Sequence, residues 1–146
     1  MINTVVVPVD GSTHSKKALN FACEIASKYE SGLHLLHVTE KPMKDQVLAL
    51  GSASVFTSGT QADLNRAARS VIKAAEDIAT RKGCKKISTE IGSGDPAKRI
   101  IHTIKELDAD LVVIGTRGLG ELAGMLMGSV SHKVNQLSPC TCIVVR

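Results

Sequence analysis

Aromatic residues are nearly missing from this chain of 146 residues, which has no Trp, one Tyr and two Phe. Single-stranded nucleic acids are held by base stacking over a basic groove, and Phe21, Tyr29 and Phe56 are too few to supply that stacking. The formal charge of +4 comes from basic residues spread along the chain, so no nucleic-acid partner is expected. Long apolar runs are also missing: no stretch approaches the roughly 18 residues that would suggest a transmembrane helix. The N-terminal residues lack a charged segment leading into an apolar signal core. No membrane insertion and a cytoplasmic location are therefore expected.

Cysteine is sparse and unpatterned. Cys23, Cys84, Cys140 and Cys142 show neither metal-ligand spacing nor a Cys-x-x-Cys redox motif. Cys140 and Cys142 share one face of a strand and are poorly placed to bridge each other, so free thiols in a reducing compartment are expected. His14, His34, His37, His102 and His132 form no zinc-type cluster, since His34 and His37 would face opposite sides of a strand. No serine occupies a Gly-x-Ser-x-Gly elbow. No catalytic centre is encoded in a recognisable form.

What is present is an alternation of buried strands and amphipathic helices over a length that suits one domain. Asn3–Val9 is β-branched and stops at Asp10-Gly11-Ser12, where Ser12 or Thr13 can cap a helix over 13–31. Ala18, Ala22, Ile25, Ala26 and Tyr29 give that helix its apolar stripe. Leu33–Val38 reads as a second strand. Residues 39–60 read as a long loop, within which Val47-Leu48-Ala49-Leu50 could form a short helix.

A second long helix runs over 62–82 with a stripe of Leu64, Ala67, Ala68, Val71, Ala75, Ile78 and Ala79. Ile87–Ile91 reads as a partly exposed strand near an edge. Asp95 caps a third helix with Pro96 at its first position, buried through Ile100, Ile101, Ile104 and Leu107. Leu111–Ile114, a helix over 129–137 and a last strand Thr141–Val145 complete the series. Such alternation indicates an α/β fold, with a parallel sheet covered by helices on both faces.

The stretch from Gly115 to Ser131 holds five of the twelve glycines and joins a buried strand to a helix. Glycine permits positive φ and close approach to a ligand, and the first N–H groups of the helix point outward at the positive end of its dipole. This is the chemistry of an anion site, usually for phosphate. Ser129 and Ser131 can add hydroxyl donors, and Arg117 and Lys133 can add charge. A Walker A loop is excluded, because no Gly-Lys pair followed by Ser or Thr occurs. Gly118-x-Gly120-x2-Ala123 superficially fits a dinucleotide fingerprint, but no Asp or Glu follows Glu121 to hold a ribose. Met125, Leu126 and Met127 suit an apolar contact within the loop.

Written as Gly115-x2-Gly118-x9-Gly128-Ser129, the stretch resembles the ATP-binding signature of the universal stress protein family. Val5-Val6-Val7-Pro8-Val9-Asp10-Gly11-Ser12, Leu35-Leu36-His37-Val38, Gly94-Asp95-Pro96 and Ile143-Val144-Val145-Arg146 extend the resemblance nearly end to end. It implies an open five-stranded parallel sheet in the order 3-2-1-4-5, of the adenine-nucleotide α-hydrolase-like kind. It also implies nucleotide contacts from Asp10 through the ribose or a metal, from Pro8, Val9 and Val38 around adenine, and from Gly115, Thr116, Arg117, Gly118, Gly128, Ser129, Val130 and Ser131. ATP, with Mg2+, is the implied ligand. The implied assembly is a homodimer paired antiparallel through Thr141–Val145, which would cover an apolar sheet edge. A regulatory protein partner such as a transporter is compatible with the family. Two other readings stay open: a slow ATPase or nucleotidyl-transfer enzyme built on Asp10, and an interaction module without nucleotide.

Overall fold

The computed structural model describes residues 1–40, 61–119 and 127–146. The expected loop beyond residue 40, the Val47–Leu50 helix and Gly120–Leu126 lie outside them. The elements are β1 (Thr4–Pro8), α1 (Thr13–Tyr29), β2 (Gly32–Thr39), α2 (Gln61–Arg81), β3 (Ile87–Ser93), α3 (Pro96–Glu106), β4 (Leu111–Gly115), α4 (Ser129–Leu137) and β5 (Thr141–Val145). The five strands form one sheet in the order β3-β2-β1-β4-β5. Each pair is parallel, with Pro8 opposite Leu36 and Gly115 opposite Val145.

Val5, Val6 and Val7 are fully buried because β1 is the central strand. Alternation sends Val5 and Val7 to the layer of α1 and α2, with Leu19, Leu33 and Ile72, while Val6 joins Leu36, Ile100, Ile104 and Val134 under α3 and α4. Burial of one such aliphatic side chain contributes about 1.5–3 kcal/mol. A cluster of polar groups anchors α3 across the β3 side. Glu90 accepts from Arg99, from His34 Nε2 at 3.1 Å and from Thr103 Oγ1 at 3.2 Å. Burial pushes the Glu90 carboxyl up, but the Arg99, His34 and Thr103 hydrogen bonds outweigh it and hold the group below its ordinary range.

Three stripe assignments need correction. Tyr29 and Leu107 are exposed, because each stands at the end of its helix where the sheet no longer lies beneath it. In α2, Ala67 is exposed and Ile72 is buried, and in α1 Leu19 and Cys23 join the buried face. In α2 the buried line is Ala68, Ile72, Ala75 and Ala79, which follows successive turns more closely than the stripe read from sequence.

Candidate functional site

The strand order reverses between β1, whose next element pairs on one side, and β4, which pairs on the other. Connections leaving the carboxyl ends there diverge to opposite faces, and the gap between them is where open α/β sheets bind ligands. A cavity of about 420 Å³ lies at this point. One wall is apolar, with Pro8, Leu36, Val38, Ile100, Ile114 and Val130. The polar side brings Asp10, Arg117, Gly118, Gly128 and Ser129 together from segments far apart in sequence. An apolar slot ending in polar groups suits a flat heterocycle bearing a polar tail.

The Asp10 side is tied down by hydrogen bonds. Val9 N–H donates to Leu36 O at 2.8 Å, and Val9 O accepts from His37 Nδ1 at 2.7 Å. That bond places the hydrogen of His37 on Nδ1, since a carbonyl only accepts. Asp10 Oδ1 accepts from Ser12 N–H at 2.9 Å, and Ser12, not Asp10, caps α1 by accepting from Ser15 N–H at 3.1 Å. Asp10 Oδ2 faces Gly118, where an added Cβ would stand 2.6 Å away.

The loop side is held by one peptide. Thr116 N–H donates to Val145 O at 2.8 Å, and Thr116 O accepts from Gly128 N–H at 2.6 Å and from Ser131 Oγ at 2.8 Å. Thr116 is buried beneath the crevice and does not line it. Ser131 lines the cavity, but its hydroxyl proton is directed to Thr116 O and Gly128 O, so the hydroxyl donor expected for an anion serves to close the loop. α4 begins at Gly128, which offers no side chain to accept the first N–H groups of the helix. Those at Ser129–Ser131 are thus left for another acceptor.

The glycines act differently from the expectation of positive φ. Among the described residues, glycines with positive φ are Gly11, Gly83 and Gly94, so Gly115, Gly118 and Gly128 do not adopt it. A Cβ on Gly115 would meet the His14 backbone at 2.7 Å, and one on Gly128 would meet Thr116 O at 3.3 Å. These positions are empty so that the protein's own backbone and Asp10 can close around the crevice.

Lys133 is exposed, is absent from the cavity lining, and lies close enough to Asp95 to lower its carboxyl. His37, Glu40, Pro96 and Ser15 line the cavity without having been singled out in the sequence. Asp95-Pro96 was visible as a helix start, and His37 precedes Val38 directly, so proximity was the available signal. Two of the cysteines are held as thiols: burial and neighbouring Cys84 push Cys23 up to about 12, and burial and Cys140 push Cys142 up to about 11. Such thiols are inert at neutral pH. Among the described residues no group of three or more His, Cys, Asp or Glu could hold a metal ion.

An open parallel sheet with an uncapped helix start facing an acidic strand end across one cavity defines an α/β fold of the kind that takes ligands beyond the carboxyl ends of its strands. The sequence pattern described as the universal stress protein family matches residues 1–146. The universal stress protein YxiE of Bacillus subtilis (strain 168) is 34% identical over 149 aligned positions that span all of both chains. The chain belongs to the universal stress protein family, and its sheet is that of the adenine-nucleotide α-hydrolase-like fold. A crystal structure of a universal stress protein in complex with cAMP is similar at a TM-score of 0.75 and 26% identity, covering 99% of this chain and 97% of that one. UspA from Lactobacillus plantarum gives 0.74 at 25% identity, covering 99% and 98%. No described helix is long and apolar enough to cross a membrane.

Proposed function

We propose that this protein holds ATP as a regulatory signal, in the cytoplasm and as a homodimer of one-domain chains. The observation that carries the reading is the α4 start at Gly128, without a cap of its own, set across one apolar-walled cavity from Asp10. Adenine fits between Pro8, Val9 and Val38, and the phosphates fit the N–H groups of Ser129–Ser131 with Arg117 beside them. The cAMP complex of a relative at 26% identity supports an adenosine carrying phosphate.

A divalent cation such as Mg2+ suits the donor set. Two carboxylates, Asp10 and Glu40, line the cavity, and a hard cation of this kind commonly takes one or two carboxylates plus phosphate oxygens. When bound, the ion would neutralise phosphate charge; Asp10 would hold it while Arg117 and α4 orient the anion. β5 supports the dimer. Val145 O points inward to Thr116, and since N–H and C=O of one residue point the same way in a parallel ladder, those of Cys142 and Val144 face outward at the edge. An open apolar edge favours a second strand.

The test is mass spectrometry of nucleotide released from purified protein, with calorimetric titration of ATP and magnesium into wild type, Asp10→Asn and Gly118→Asp. The expected result is ATP binding that Gly118→Asp abolishes, because the new carboxylate is forced onto Asp10. Asp10→Asn, which keeps the shape, should bind more weakly. Absence of released nucleotide and of binding heat in wild type would overturn the reading. Turnover above background that disappears in Asp10→Asn would replace a holding function with a catalytic one.

A further inference from the structure

A second cavity, of about 230 Å³, lies between α1 and α2 behind the Val9–Gly11 segment. It shares Val9 and Ser15 with the nucleotide crevice but opens on the other face of the sheet. Its walls are Val9, Leu19, Val71, Ala74, Ala75 and Ile78, with Ser15, Lys16 and Ser70 as polar members. The groove is open to solvent on one side, and its apolar walls give water few hydrogen-bond partners.

The polar members differ in what they have left to offer. Ser15 Oγ donates to Ser12 O at 3.1 Å and Ser70 Oγ donates to Arg66 O at 3.1 Å, so both hydroxyl protons are used. Lys16 is exposed, and no ion pair engages it among the described residues. It also stands in the first turn of α1, where the helix dipole disfavours a cation. A lysine stem can cover apolar surface while its ammonium stays in water, so Lys16 gives this groove one positive group among its lining residues.

We infer that this cleft is a binding site for a short aliphatic carboxylate, its chain between α1 and α2 and its carboxylate on Lys16. The volume falls below the roughly 300 Å³ at which pockets for drug-sized ligands begin, which limits the chain to a short one. Lys16 disfavours a cationic head group in the cleft. The inference does not rest on the ATP reading, since Lys16 and the α2 residues lie outside the nucleotide crevice.

The experiment is titration of octanoate into the full chain without nucleotide, followed by methyl NMR of Val71, Leu19 and Ile78 against Val38 and Val130. Octylammonium serves as the charge-reversed probe, with Lys16→Glu and the cleft-filling Ala74→Phe as variants. Saturable shifts confined to the first three residues are expected, with octanoate weakened about fivefold or more by Lys16→Glu and lost in Ala74→Phe. Lys16→Glu should in turn favour octylammonium. Equal binding of both probes to wild type, shifts at Val38 and Val130 instead, or no saturable shift would each overturn the inference.

Discussion

α1 and α4 both begin at the same crevice, and only one of them satisfies its own first turn. α1 is closed from within: Asp10 accepts from Ser12 N–H, and Ser12 accepts from Ser15 N–H. α4 starts after Gly128, and the Ser131 hydroxyl in its first turn is turned down to Thr116 O. A helix start with its own acceptor needs nothing further, whereas one without it keeps free N–H groups and a positive dipole end for a ligand. The contrast separates the structural start from the binding start within a single cavity.

The largest effect is expected where the two starts are wedged together. Gly115→Ala places a methyl group 2.7 Å from the His14 backbone, which cannot move without shifting α1, so stability should fall by about 3 kcal/mol. Urea denaturation would measure the fall, and an unchanged midpoint would show that α1 and β4 are not in fixed contact.

The next change makes α4 resemble α1. Gly128→Ser supplies a side-chain acceptor for the first turn at a position where its Cβ is 3.3 Å from Thr116 O, tight but not prohibitive. The helix gains at most a few tenths of a kcal/mol, while the ligand now competes with an internal cap and ATP affinity should drop about tenfold. Calorimetry on wild type and variant decides this, and an equal affinity would mean that the α4 N–H groups do not contact the phosphates.

The converse change strips α1. Ser12→Ala should cost about 1 kcal/mol of stability, as the loss of a serine cap does, measured by thermal or chemical denaturation. α3 supplies a charged variation on the same theme. Asp95 accepts from Lys98 N–H at 2.9 Å, and that backbone bond, followed by the opposing effect of burial and then nearby Lys133 and Lys98, holds its carboxyl below the ordinary range. A folded-state pKa below the unfolded one means that stability is present above the unfolded value and lost as pH falls through the folded one. In Asp95→Asn the cap persists without charge, so the small part of the acid-side slope due to this group should vanish from the stability–pH curve between about pH 4 and the folded pKa. An unchanged slope would show that Asp95 caps α3 without favouring its ionised form.

Much of this arrangement was legible in the chain. Val5–Val7 announced a buried strand, Asp95-Pro96 the start of α3, and Gly115-x2-Gly118-x9-Gly128-Ser129 a strand-to-helix loop, because each depends on neighbours within a few residues. His37, Glu40 and Pro96 as cavity residues were not legible, since their position follows from the register that sets Pro8 opposite Leu36. The reason for the glycines was also hidden. Local physics suggests positive φ or a ligand, but Gly115 and Gly118 are needed by His14 and Asp10, which lie about a hundred positions earlier in the chain.

The sequence by itself determined the alternation of strands and helices, the family and the glycine loop, because periodicity, capping chemistry and turn residues act over short distances. The tertiary structure alone decided which helix start is left open, that Thr116 is a buried clasp to β5, and that a second cleft backs onto Val9. Those outcomes depend on which groups meet across the sheet, and a hydroxyl proton or a carboxylate can serve one partner only after the fold has chosen it.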